Sequence, residues 1–190
     1  MKTLVLTAHP DLSSSTANRK WFEALSGVEG VITRDLTSIA GAEMRFNPSI
    51  EQALLEQADR IVMQFPFYWY SSPPVLKAWI DQVLLFGFSY GQGGDKLQGK
   101  DLILAITTGG PAESFQAGAF NRFSMNEFLT PFEQTANMVG MNYLPPFVLH
   151  SAMSRDKTKL DTSTAELISY VTKPRVKTHR KQAHENALTQ

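Results

Sequence analysis

The feature that most constrains this chain is an alternation, kept up over most of its length, between short apolar runs and longer stretches with apolar residues at helical spacing. The short runs are Thr3–Ala8 (TLVLTA), Val31–Leu36 (VITRDL), Arg60–Phe65 (RIVMQF), Asp101–Thr107 (DLILAIT) and Asn142–His150 (NYLPPFVLH). They are apolar and β-branched with little polar alternation, the pattern of strands covered on both faces. The first helical pattern begins at Ala17 or Asn18, carries Trp21, Phe22 and Leu25, and stops at Gly27. A short helix is expected over Ser49–Ala58 with Ser49 as its cap, after an irregular connection over Thr37–Pro48. Pro74 opens a helix with Val75, Leu76, Trp79, Ile80, Val83 and Leu84 on one face. Two more helices are expected, at about Ser124–Val139 and Asp161–Thr172.

Strands that alternate with helices wind right-handed into a parallel sheet covered on both sides. Five strands on this schedule suit an α/β, flavodoxin-like three-layer sandwich with strand order 2-1-3-4-5, which puts a ligand outside the carboxyl ends of the strands. With 190 residues, one domain over 1–172 fits the length, followed by a basic, loosely attached C-terminal tail over 173–190. Lysines plus arginines equal aspartates plus glutamates at 18 each, so the broad basic footprint of a nucleic-acid binder is missing. The chain has no cysteine, which excludes disulfides, a cysteine nucleophile and cysteine-ligated metal. No apolar stretch approaches the roughly 20 residues of a membrane span, and the expected location is cytoplasmic.

Three loops should meet at the switch point of such a sheet, and they are the least ordinary stretches of the sequence: HPDLSSSTAN (9–18), PFYWYSSP (66–73) and TTGGPAESF (107–115). In the first, Ser13, Ser14, Ser15 and Thr16 offer hydroxyls beside the amides of Thr16, Ala17 and Asn18 at a helix start, where an anion is stabilised. Helix capping would account for one such hydroxyl but hardly for four in a row. In the second, Phe65, Phe67, Tyr68, Trp69 and Tyr70 crowd where the core should already have ended, which suits a flat ligand held against aromatic rings. In the third, Gly109 and Gly110 let the backbone approach a ligand and donate its amides, where a plain turn needs one glycine.

Taken in order, AHP-x-x-S-S-S-x-A-N, QFPFYWYSSPPVLKAWIDQV and TTGG resemble the NAD(P)H:quinone oxidoreductases of the flavodoxin-like superfamily over roughly residues 3–150. DT-diaphorase, the modulator-of-drug-activity reductases and the ancillary reductases of bacterial potassium efflux systems are branches of that family. The stretch NRFSMNEFLTPFEQTANMVGMNYLPPFVLH is most similar to the efflux-ancillary branch. The resemblance implies a non-covalent flavin, FMN or FAD, with NAD(P)H as co-substrate and a quinone-type acceptor, hence an NAD(P)H dehydrogenase (quinone) working by two-electron ping-pong transfer. It implies that His9, Ser15, Thr16, Ala17 and Asn18 hold the flavin phosphate. Pro66, Phe67, Tyr68, Trp69 and Tyr70 would lie along the isoalloxazine, and Thr107, Thr108, Gly109 and Gly110 would line its pyrimidine side. A tyrosine and a histidine stabilise the reduced flavin's charge in DT-diaphorase; Phe115 and Asn121 stand near those positions here, so that pair is not carried over. The resemblance also implies a homodimer with the site at its interface, with the helix after Ser124 and the loop Phe86–Tyr90 as candidate contacts. A potassium transporter at the inner face of the membrane is implied as a further partner.

Two other function classes compete. A one-electron flavodoxin-type carrier would need a strongly acidic docking surface, which the balanced charge does not provide. A regulatory subunit of a potassium efflux transporter would show itself by co-purification and by an efflux defect that survives loss of flavin. No metal is assigned: His179 and His184 have poor spacing in the tail, and His150, at the end of the fifth strand, reads as a structural histidine. No Gly-x-Ser-x-Gly elbow appears, and Asp81 and Glu127 read as solvated or ion-paired helix residues rather than an acid–base pair. The segment Phe120–Phe132 is too rich in phenylalanine for an exposed lid.

Overall fold

The computed structural model describes residues 1–154 and 156–175. The strands are β1 (Thr3–Thr7), β2 (Val31–Asp35), β3 (Arg60–Pro66), β4 (Asp101–Thr107), β5 (Asn142–Tyr143) and β6 (Phe147–Leu149). The helices are α1 (Ala17–Ser26), α2 (Leu36–Ala40), α3 (Pro48–Gln57), α4 (Pro74–Val83), α5 (Met125–Met138) and α6 (Lys157–Thr172). All pairings are parallel, in the order β2-β1-β3-β4-β5, with β6 also on β4. This is the flavodoxin-like three-layer sandwich. Among the described residues no helix is long and apolar enough to cross a membrane.

Side chains alternate across the sheet and so feed two cores. Leu4, Leu6, Ile61, Met63, Leu102 and Leu104 pack against α2 to α5 on one face, while Val5, Val62, Ile103 and Ala105 pack against Trp21 and Leu25 of α1 and Leu167 and Val171 of α6 on the other. β1, β3 and β4 are buried at every position, as their unbroken apolar runs require.

Several boundaries differ from the sequence expectation, each for a local reason. The connection after β2 is not irregular throughout: the Asp35 carboxylate accepts from the amides of Thr37 and Ser38 and starts α2, which Gly41 ends at a φ of 63°. The cap of α3 is Asn47 rather than Ser49, with Pro48 in the first turn and the Ser49 amide donating to Asn47. The fifth strand is split, because Pro145 and Pro146 have no amide to give β4, leaving β5 and β6 as two short pieces of one strand path. α6 begins at Lys157, earlier than Asp161, on an Asp156 cap. Asp81 pairs with Lys77 one turn away and Glu127 closes a capping box with Ser124, so both are structural.

The amino end of the sheet is held by charge. Arg60 and Asp101 face each other in register on β3 and β4, both buried, with Nη2 donating to the carboxylate at 3.1 Å. Arg60 Nη1 also donates to the carbonyls of Val171 at 2.7 Å and Lys173 at 3.0 Å, placing a cation on the open end of α6. Arg175 donates to the same Asp101 carboxylate and to the Gly99 carbonyl, so the first residues of the expected loose tail are docked. The rest of that tail, with His179 and His184, lies outside the described residues.

Removing one member of a buried pair leaves the other charged and unmatched, at a cost of about 3–5 kcal/mol. Asp101→Leu, which leaves the buried Arg60 without a carboxylate, should therefore lower the unfolding free energy read from urea titration by that much, and adding Arg60→Met should recover most of it; equal free energies for wild type and the single variant would remove the pair from any role in stability.

Candidate functional site

The carboxyl ends of β1, β3 and β4 meet at one edge, and a polar network below the surface ties them together. Asn18, at the start of α1, is almost wholly buried. Its Nδ2 donates to Thr107 Oγ1 at 3.0 Å, and Gln64 Nε2 donates to the Asn18 carbonyl at 2.8 Å. A single side-chain cluster thus joins the loop after β1 to the ends of β3 and β4. Asn18 serves as this brace, with its amide group turned to protein rather than held free for a ligand.

The serine-rich loop divides its work in a way that residue types alone do not show. Asp11 organises a tight turn: Ser13 Oγ donates to its carboxylate at 2.6 Å, Ser14 Oγ donates to its carbonyl at 3.0 Å, and the Ser14 amide donates to the carboxylate. Those contacts hold the Asp11 carboxyl below its usual range. Ser15 Oγ accepts the Asn18 amide at 3.2 Å and caps α1. The run of four hydroxyls therefore reduces to two that are open to a ligand as donors, Ser15 with its own proton and Thr16, beside the first-turn amides that a helix cannot satisfy internally. His9 accepts the Asp11 amide at Nδ1, 3.1 Å away, so the neutral ring carries its proton on Nε2. Burial lowers the His9 pKa below the ordinary 6.5, against the opposing pull of the Asp11 contact and of the Asp11 and Asp35 charges.

After β3 the chain makes a turn of unusual composition. Tyr68 and Ser71 form an antiparallel bridge, and Trp69 and Tyr70 between them take φ values of 47° and 62°. A turn with positive φ at both central residues normally holds Asn-Gly; for bulky residues each such conformation costs roughly 1–3 kcal/mol. Trp69 is 93% exposed. Phe65 departs from the sequence reading: it is fully buried and stacks on Phe132 at 5.4 Å, and so belongs to the core. Phe67 is held by edge contacts with Tyr70, Phe115 and Phe128, and Tyr70 stacks on Phe128 at 5.1 Å.

The loop after β4 is fastened on both sides. The Thr108 amide donates to the Leu149 carbonyl, and the Ala152 and Ser151 amides donate to the Thr108 and Gly110 carbonyls. Across the gap, Asn121 donates from Nδ2 to Ser114 Oγ at 3.0 Å and accepts from the Tyr70 hydroxyl at 3.2 Å. Asn121 therefore links this loop to the aromatic turn, and Phe115 is packed beneath it.

Two adjoining cavities result. The larger, of about 1070 Å³, is lined by His9, Ser15, Thr16, Ala17 and Asn18 at one end, and by Pro66, Phe67, Tyr68, Trp69, Thr107, Thr108 and Gly109 along its walls. The smaller, of about 540 Å³, is lined by Tyr70, Gly110, Phe115 and Asn121 and shares Phe67, Trp69, Thr108 and Gly109 with the first. Every candidate read from the sequence faces one of the two except Phe65, which lies in the core, and Ser13, whose hydroxyl is turned to Asp11. Five more were missed: Ala152 and Met153 in the larger cavity, and Pro111, Ser114 and Phe120 in the smaller. The first pair follows β6, and the rule that ligands sit past the carboxyl ends of strands applies to that strand as well. Phe120 and Phe123 are exposed, at 89% and 53%, contrary to the expectation that this stretch is too apolar for the surface.

Fold and cavity together define a flavodoxin-like protein. A family model described as a flavodoxin-like fold matches residues 1–171, and the chain belongs to this family, among the flavodoxin-like NAD(P)H:quinone oxidoreductases. Similar chains include general stress protein 14 of Bacillus subtilis (strain 168), 44% identical over 92% of this chain and 99% of that protein. A second from the same organism, named uncharacterized NAD(P)H oxidoreductase YdeQ, is 40% identical over 100% of this chain and 98% of its own length. Among solved structures, general stress protein 14 from Treponema denticola in complex with FMN has a TM-score of 0.84 at 33% identity, over 90% of this chain and 98% of that one. An NADPH-quinone reductase from P. pentosaceus also has a TM-score of 0.84, at 34% identity over 92% of this chain and 100% of that one. A structure described as a thermophilic tryptophan halogenase from Streptomycin violaceusniger has a TM-score of 0.87 at 41% identity, over 90% of this chain and 99% of that one.

Burial lowers the pKa of both His9 and His150 below 6.5. The folded chain then binds fewer protons than the unfolded one, so their contribution is complete above the unfolded value and is lost as pH falls through it toward the lower folded values. The urea midpoint should hold steady from about pH 8 to 7 and decline from about 6.5 to 5, and the decline should flatten in a His9→Asn, His150→Gln variant. A midpoint that rises over that interval contradicts the assignment.

Proposed function

We propose that this chain is an FMN-dependent NAD(P)H oxidoreductase that passes hydride from a reduced nicotinamide nucleotide to quinone-type small molecules. The observation that carries this reading is the continuity of the two cavities across Phe67, Trp69, Thr108 and Gly109, with anion-holding amides at one end and an aromatic slot at the other. FMN is chosen over FAD because the T. denticola relative is described in complex with FMN.

The residues present fit such a group. A Cβ placed on Gly109 would meet nothing closer than Met153 Sδ at 3.8 Å, so the fold itself does not require a glycine there; the space it leaves open belongs to the cavity. Thr16, Ala17 and Ser15 would hold the phosphate with neutral donors and the start of α1, with His9 Nε2–H close by. Pro66 to Tyr70 would lie along the ring system, and Thr107 to Gly110 would meet its polar edge. Bound FMN supplies the hydride acceptance and donation; the protein orients the reactants and keeps the slot dry.

Donor and acceptor would use the same aromatic slot in turn. The exposed Trp69 and Phe120 line that slot and the exposed Met153 lines the adjoining cavity, and a second copy of the chain covering them is the form in which it would be closed. Because the same patch borders the cavity, the homodimer is preferred to a transporter as its occupant. Balanced charge tells against a one-electron carrier.

Purified protein mixed with FMN should bind it, and initial rates with NADPH or NADH and a benzoquinone should give parallel double-reciprocal lines; intersecting lines would reject alternate use of one slot. Gly109→Val should weaken FMN binding at least about 10-fold, roughly 1.4 kcal/mol, with the urea midpoint of the free protein little changed. A Gly109→Val protein that binds FMN as wild type does would sink the assignment of this loop.

A further inference from the structure

His150 follows β6 and stands behind the Thr108–Gly110 turn. Its Nδ1 lies 3.0 Å from Thr108 Oγ1, and that hydroxyl donates its one proton to the Gly110 carbonyl at 2.8 Å. When the hydroxyl proton is on the Gly110 carbonyl, Nδ1 is the donor to Thr108, and the neutral ring then carries its proton on Nδ1 and leaves Nε2 as an acceptor. The ring also packs at 5.4 Å against Phe115, which with Thr108 lines the smaller cavity. Backbone bonds from Thr108 to Leu149 and from Ser151 to Gly110 fasten the residues on both sides of His150 to the same turn.

This arrangement has an unusual property. Adding a proton at Nε2 leaves the Nδ1–H bond to Thr108 in place, so the ring can change its charge without changing its position. It is half-buried beside the cavity, where a charge is less screened than in bulk water.

We propose that His150 is a positioning residue for the Thr108–Gly110 turn that takes a proton from solvent at Nε2 when negative charge enters the cavity and returns it when that charge leaves. The inference rests on the flavin reading of the site. The surroundings agree with a ring that is neutral at rest: burial lowers its pKa, Lys159 on α6 acts in the same direction, and Glu113 in the loop after β4 opposes them.

The test follows the His150 imidazole resonances, assigned through its backbone, in labelled protein titrated with pH in three states: free, with FMN bound, and with FMN bound and reduced by excess dithionite. FMN binding is measured first by absorbance. The expected result is a His150 pKa higher by about one unit or more in the reduced complex than in the oxidised one, a tenfold change in proton affinity. In addition, the midpoint potential plotted against pH should change slope near that pKa. His150→Gln keeps a donor for Thr108 but cannot titrate, and it should remove the change of slope. An equal His150 pKa in both redox states, or a slope change that persists in His150→Gln, overturns the proposal while leaving the bound flavin standing. If FMN does not bind at all, the flavin reading fails and this inference falls with it.

Discussion

The buried contacts among Asn18, Gln64 and Thr107 hold the site together, because they fix the start of α1 and the ends of β3 and β4 relative to one another. Each of these groups is polar and enclosed, so the cluster is favourable only while its members remain paired; an unmatched buried amide costs about 1–3 kcal/mol. The same contacts orient the start of α1. The entrance to the helix and the edge of the sheet are thereby placed as one unit, and the loops above need only decorate a fixed frame.

The aromatic turn shows what that frame supports. Trp69 and Tyr70 sit in left-handed conformations that Asn-Gly would adopt at far less cost. Phe67 and Phe128 pack against Tyr70 and, with Phe115, against one another, and the Tyr70 hydroxyl reaches Asn121, so packing over-determines the turn. Trp69 has no comparable support and projects into solvent, which is consistent with a side chain placed for something that arrives from outside.

The sequence made the sheet order legible because β1, β3 and β4 are buried on both faces and must be apolar throughout. It made the three main loops legible because their composition is hard to explain as core or as plain turn. It did not reveal how the serines divide their roles, since that depends on which groups Asp11 turns toward, and a run of hydroxyls looks the same in every arrangement. Phe65 and Phe67 are two residues apart and equally aromatic, yet one belongs to the core and the other to the cavity; the end of β3 decides between them. Ala152 and Met153 carry no chemical signature at all and join the site only because β6 delivers them. The position of His150 beside Thr108 likewise arises from two strand ends being neighbours in space.

Among the described residues, neither cavity is lined by a lysine or an arginine. These residues would hold an anionic guest by dipoles that act at contact. Their share of the binding would be set by fit, and added electrolyte, which screens charges over distances near 10 Å, would leave that share almost untouched.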